Sequence, residues 1–202
     1  KSEITFLHSK KYKDVAKDTK ASFCITTETL KNILPKNCKT LIVENVLVAV
    51  SKLTSKFYPD AINDNFDETA TSILETNFKD KIKSGKNVLV GENVSFGSNC
   101  YIGHNSIIEK NVNIGNNCSI GSNTIIRNTI IKDNVRILDG CVVGKHGFGF
   151  FPVKNHNLRY PHIGIVIIED NCEIGCGATI DRGSMSNTVI GKNTYLDNQV
   201  HI

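Results

Sequence analysis

Through the second half of this chain a large apolar residue recurs every six positions, and that beat constrains the fold more than any local propensity. Val90, Phe96, Ile102, Ile108, Ile114, Ile120 and Ile126 keep it, and it resumes at Ile131, Ile137 and Val143, at Ile168, Ile174 and Ile180, and at Ile190, Leu196 and Ile202. Two residues before each stands a smaller side chain, among them Val88, Cys100, Ser106, Cys118, Thr124, Cys141, Cys172 and Ala178. Three residues after it comes, in most units, Asn or Gly: Asn93, Asn99, Asn105, Asn111, Asn117, Asn123, Asn134, Gly140, Asn171, Gly177 and Asn193. Asn and Gly enter the left-handed backbone region at least cost, so each marks a corner. Between corners, the alternation of inward large and inward small residues is that of a short strand. One such unit cannot bury its aliphatic side chain alone, so successive units must stack into a solenoid with the aliphatic row along its axis. Each deep aliphatic then contributes roughly 1.5–3 kcal/mol.

The first 60 residues obey other rules. Residues 21–26 and 40–43 read as short strands. Thr27 reads as the cap of a short helix stopped by Pro35. Asn45 caps a second helix that places Leu47, Val50, Leu53 and Phe57 on one face and ends at Pro59. Residues 1–60 therefore form a small α/β unit. Residues 61–86, polar and acidic at their start, form a linker and an irregular first coil, and residues 87–202 form the solenoid.

A formal net charge of +4 suits a local basic patch for an acidic partner, not a nucleic-acid protein. Of the seven cysteines, Cys100, Cys118, Cys141 and Cys172 fall on the small inward row, so they read as buried apolar side chains in a reducing cytosol. No CxxC pair points to zinc, and His104, His146, His156 and His162 match no ligand spacing, which leaves them hydrogen-bonding or surface roles. There is no apolar run long enough to span a bilayer and no signal peptide. Starting at Lys1 and stopping at Ile202 in mid-repeat, the chain reads as a fragment at both ends.

Two departures from the rhythm mark where function sits. Residues 145–164 form an insertion carrying Phe148, Phe150, Phe151 and Tyr160 beside Gly147 and Gly149, which offers aromatic surface and close backbone approach. The same rings equally suit fastening the insertion to the coil or to a neighbouring subunit. Between Ile180 and Ile190 four extra residues make a small loop around Asp181, Arg182 and Gly183, where Asp181 and Arg182 either meet substrate or pair with each other.

GFGF (147–150), IGIVIIED (163–170), ATIDRG (178–183) and LDNQVHI (196–202), in this order behind ITFLHSKKY (4–12), resemble the UDP-3-O-acylglucosamine N-acyltransferases, a hexapeptide-repeat family of lipid A synthesis in Gram-negative bacteria. The resemblance implies a mainly β fold, a left-handed parallel β-helix of hexapeptide repeats preceded by a small uridine-binding α/β domain. It implies transfer of a 3-hydroxyacyl chain from acyl carrier protein, held there as a phosphopantetheine thioester with no separate cofactor or metal, to the 2-amine of a UDP-glucosamine lipid precursor. It further implies a cytoplasmic homotrimer with sites between subunits. Phe6 and Tyr12 stand where the family contacts uracil, although core and rim aromatics of a strand would look the same; Ser9 stands where the family commonly has Asn.

The family's general-base His is expected just beyond Ile202. His201 precedes an inward residue, so it faces outward as a neighbour of the site or as the base itself. Attack on a thioester wants such an imidazole to take a proton from the amine. Asp197, followed by Asn198, either orients that base, meets substrate, or is a corner residue. Phe148 and Phe150 would shelter acyl chains at roughly 0.8 kcal/mol per buried CH₂, and Lys145, Lys154 and Arg159 would suit an acidic carrier. The competing readings are another sugar-nucleotide O- or N-acyltransferase, dependent on acyl carrier protein or on acetyl-CoA, and a non-catalytic β-solenoid. The N-terminal uridine-type domain disfavours a bare solenoid enzyme, and the lack of a metal-spaced His set disfavours a solenoid hydratase.

Overall fold

A computed structural model describes residues 3–63 and 65–202. The chain divides into two compact units, one running to residue 62 and including 149–161, the other comprising 63–148 and 162–202.

The second unit is the expected parallel β-helix. Its strands form three sheets of five, six and six strands, visited in rotation by the chain. Neighbouring strands in a sheet are parallel, as where Ile120 lies between Ile102 and Ile137. Among the described residues the single exception is the pairing of Thr71–Ser72 with Leu89–Val90, which is antiparallel and opens the stack. The axial row is buried from Val90 to Ile190 save for half-buried Phe96, which packs against the same core. Leu196 is only partly buried and Ile202 is exposed, in the last coil described.

Every expected corner residue has positive φ. The corner that is one residue short is turned by Asn128 at φ 47°, and Gln199 takes the role at φ 58°. The Asn side chains also bond to one another from coil to coil. Asn99 donates to Asn117 and Asn117 to Asn134, each at 3.2 Å. The small inward row does more than fill space. The thiols of Cys100, Cys118, Cys141 and Cys172 each donate to a backbone carbonyl of another coil at 3.0–3.1 Å, and the Ser106 hydroxyl does the same to Gly121 at 2.8 Å. A corner leaves carbonyls without a ladder partner, and these short polar side chains satisfy them.

In the first unit β1 (Ile4–Leu7), β2 (Phe23–Thr26) and β3 (Lys39–Ile42) make a parallel sheet in that order. A short helix, α1 (Lys13–Lys17), lies in the first crossover. Only a single 3₁₀ turn, Lys31–Ile33, forms where the Thr27-capped helix was expected, and the Thr27 hydroxyl pairs with that of Thr29 instead. Asn45 does cap α2 (Val46–Phe57), accepting the Val48 N–H at 3.1 Å. The buried face of α2 differs from the expected one: Val46, Val50, Ser51 and Thr54 are buried while Phe57 is 68% exposed. The reason is a partner that the sequence pattern does not reveal.

That partner is the insertion. Residues 150–153 and 156–159 form an antiparallel hairpin that groups with the first unit, not the coil. The Phe151 ring meets Tyr160 edge-on at 5.4 Å. Tyr160 packs against the cluster of Ile25, Val46 and Val50, and the Ser51 hydroxyl donates to the Arg159 carbonyl at 3.2 Å. Two of the four insertion aromatics therefore fasten the hairpin, whereas Phe148 and Phe150 stay exposed at 84% and 45%. Among the described residues no helix is long and apolar enough to cross a membrane.

Candidate functional site

In the coil unit the departures from rhythm converge on one strand, Thr179–Arg182. Ile180 points into the core, so Thr179 and Asp181 face outward. On one side the strand pairs with Val142–His146, where a register shift follows Val143, so that Asp181 lies beside Lys145 and Arg182 beside His146. Gly144 makes the shift at φ 81°; a Cβ there would lie 1.6 Å from the Arg127 carbonyl oxygen. On the other side His201 bridges to Thr179, its Nδ1 standing 2.5 Å from the Thr179 hydroxyl. The Asp181 N–H donates to the Ile202 carbonyl at 3.0 Å, so residues 201 and 202 run directly alongside Thr179 to Asp181.

Asp181 and Arg182 do not pair. Arg182 donates its Nε–H to the Gly164 carbonyl at 2.5 Å, and burial pushes its guanidinium pKa down. The same small loop accepts the Ile163 N–H on the Ser184 carbonyl at 2.7 Å and the Ile165 N–H on Asn187 Oδ1 at 3.1 Å. The second insertion thus pins the returning end of the first. Asp181 is half-buried, and among the described residues its carboxylate has no hydrogen bond or ion pair. His162, 8% exposed, comes to the same place, which its spacing gave no means to foresee. A Cβ on Gly147 would stand 3.1 Å from His162 Nε2 and 3.3 Å from Asp181 Oδ2, so the glycine backbone passes close over both side-chain heads.

Asp197 and Asn198 are corner residues here. Asn198 Oδ1 accepts the Cys176 N–H at 2.8 Å, and Asp197 Oδ1 accepts the Asn198 N–H at 2.7 Å. Both side chains serve the turn. His104 also serves a corner, its Nδ1 accepting the Lys86 N–H at 2.8 Å.

The first unit holds a separate pocket of about 380 Å³, lined among others by Phe6, His8, Tyr12, Val15, Cys24 and Leu34. Phe6 and His8 stack with centroids 5.9 Å apart, and His8 and Tyr12 stand at 5.4 Å. Tyr12 is a rim residue, 46% exposed, and Phe6 also packs against the buried cluster beneath. Ser9 does not line the pocket; its hydroxyl accepts the Lys11 N–H at 3.3 Å, capping the turn that presents Tyr12. Burial, with Cys38 nearby, pushes the Cys24 thiol up to about 11, so this wall of the pocket is an unreactive apolar surface. An aromatic slot of this kind suits a flat heterocycle.

Residues 1–56 match the model of the LpxD family, described as UDP-3-O-(3-hydroxymyristoyl) glucosamine N-acyltransferase, and residues 93–128 match that of the bacterial transferase hexapeptide, six repeats. A UDP-3-O-acylglucosamine N-acyltransferase of Helicobacter pylori is 38% identical over 203 residues, covering 100% of this chain and 59% of its own length. One from Acinetobacter baylyi is 39% identical over 198 residues, covering 98% of this chain and 56% of its own. The chain thus spans less than two thirds of the curated relatives it matches. A solved structure of a mutant AntD, an N-acyltransferase from Bacillus cereus in complex with dTDP and coenzyme A, superposes with a TM-score of 0.43 at 21% identity, covering 68% of this chain and 81% of that one.

Proposed function

We propose that the chain is a member of the UDP-3-O-acylglucosamine N-acyltransferase family, supported by the match of residues 1–56 and by relatives 38% and 39% identical, and that the protein transfers a 3-hydroxyacyl chain from acyl carrier protein to the 2-amine of UDP-3-O-acylglucosamine in lipid A synthesis. The observation that carries this reading is the convergence of both insertions on the outward face of Thr179–Arg182, in a chain whose other unit offers an aromatic pocket for a base.

The residues divide the work as follows. Phe6 and Tyr12, with His8 between them, hold the uracil ring. Thr179, Asp181 and His162 line the place where the acceptor sugar lies. The amine nitrogen attacks the thioester carbonyl, its proton passes to an imidazole, the C–N bond forms, and the thiolate leaves and is protonated. That imidazole belongs to a His following Ile202, which the pairing of residues 201 and 202 with Thr179 to Asp181 would bring to the same face. His201, already bonded through Nδ1 to Thr179, lines the site beside it. Phe148 and Phe150 shelter acyl chain, and the acyl group travels on the carrier's own phosphopantetheine, so the enzyme needs no further cofactor.

Homotrimer formation is part of the proposal. It is supported by an outward aliphatic row, Ile130, Ile167 and Val189, adjacent in register on one sheet, of which Val189 is 55% exposed. A cytoplasmic location follows from the donor. The test is transfer by the full-length protein from 3-hydroxyacyl carrier protein and from acetyl-CoA, in parallel. Transfer from the carrier protein alone is expected; transfer from acetyl-CoA alone would overturn the donor assignment.

A further inference from the structure

We propose that the Asp181 carboxylate is the subsite that takes the acceptor's amino group, an assignment that rests on the transfer reading above and deepens it. Several carboxylates of the coil spend their oxygens on protein donors, whereas half-buried Glu169, away from the Thr179–Arg182 strand, is like Asp181 in having none among the described residues. Asp67 accepts from Thr69 and Lys110, Glu109 pairs with Arg127 at 2.7 Å, and Asp133, Asp139 and Asp170 accept backbone N–H groups of neighbouring corners at 2.6–3.1 Å. Asp181 does none of this among the described residues, although it is half-buried and flanked by residues that are fully committed to structure. The Asp181 oxygens are not buried without a partner, so they stay accessible and a ligand's donor can reach them.

Three features choose an amine as that partner. The carboxylate faces outward beside the Thr179 hydroxyl, and the Gly147 backbone closes the opposite side without filling it. Asp181 Oδ2 and His162 Nε2 both reach the space over Gly147. The Asp181 N–H takes the Ile202 carbonyl, so the segment carrying His201 runs next to this carboxylate. An amino sugar arrives largely as its ammonium ion, which Asp181 pairs with. Once the base has removed one proton, Asp181 accepts a hydrogen bond from a remaining N–H and leaves the nitrogen lone pair free to attack. Asp181 forms no covalent bond and keeps no proton.

The test uses the full-length protein and two probes, UDP-3-O-acylglucosamine and the analogue in which a hydroxyl replaces the 2-amine, with binding followed by calorimetry in the native protein and in Asp181→Asn and Asp181→Ser. The native protein should prefer the amine by roughly tenfold or more, and both variants should bring the two affinities within about threefold of each other. In the transfer assay Asp181→Asn should raise KM for the acceptor by a similar factor while KM for the acyl donor stays unchanged. Thermal midpoints should not move, because the side chain holds nothing in place. Equal binding of the two probes by the native protein, or undiminished preference in both variants, would overturn the subsite. A preference that disappears in the variants without any transfer by the native protein would instead sink the transferase reading and leave an amine site standing.

Discussion

The Lys110 N–H donates to the Asp67 carboxylate at 2.6 Å, joining residues 43 apart in sequence and fastening the entry segment to the second coil. The other oxygen of Asp67 takes both the N–H and the hydroxyl of Thr69, at 3.0 and 2.7 Å. Burial alone would raise this carboxyl; the hydrogen bonds outweigh it and hold it below the ordinary value of 3.8. A carboxyl depressed by folding stabilises the protein above its unfolded pKa, and the benefit is lost as pH falls through the folded one. Asp67→Asn should therefore lower stability at neutral pH, and its difference from the native protein should shrink below pH 3.8. Urea melts at a series of pH values check this.

The corner Asn residues give a second prediction. Asn117 holds φ 54° and links Asn99 to Asn134. Asn117→Gly loses the side-chain links but keeps the backbone content, whereas Asn117→Ala also pays about 1 kcal/mol for the left-handed conformation. Thermal melts should rank native above Gly above Ala.

Ile174 is fully buried between Ile137 and Leu196. Ile174→Ala should cost about 2–5 kcal/mol, and Ile174→Asp should unfold the local coils, seen as lost hydrogen-exchange protection in the neighbouring strands. Unchanged protection in Ile174→Asp would contradict the solenoid core.

In the first unit, Tyr160→Ala should release the hairpin from its cluster and expose its amides to exchange, while Ser51→Ala, which removes one hydrogen bond, should cost about 1 kcal/mol. In the pocket, Phe6→Ala and Tyr12→Ala should weaken binding of a uridine nucleotide, and Ser9→Ala should leave it within about threefold, since Ser9 caps a turn outside the lining. Calorimetric titration with UDP distinguishes these outcomes.

The coil was legible because three rows of residues repeat the same demand, so no single position had to be read correctly. The insertion was not, because its partner lies far away in sequence: nothing near Tyr160 announces a cluster built from Ile25, Val46 and Val50, and nothing near α2 announces that Ser51 would bond Arg159. For the same reason the face of α2 was assigned one step round the helix. Around the site, Asp181 was visible as a residue of an irregular loop, whereas His162 was not, since its role comes from the backbone crossing at Gly147. Asn198 and Ser9 show the converse, where a motif residue spends its side chain on a turn.

The most direct test of N-acyl transfer is the linkage formed when the full-length protein acts on UDP-3-O-acylglucosamine with labelled 3-hydroxyacyl carrier protein, followed by mild alkaline treatment. One labelled acyl group should be gained and stay on the sugar as an amide after the original ester has been stripped. Label released together with that ester, or no gain of label, would contradict it.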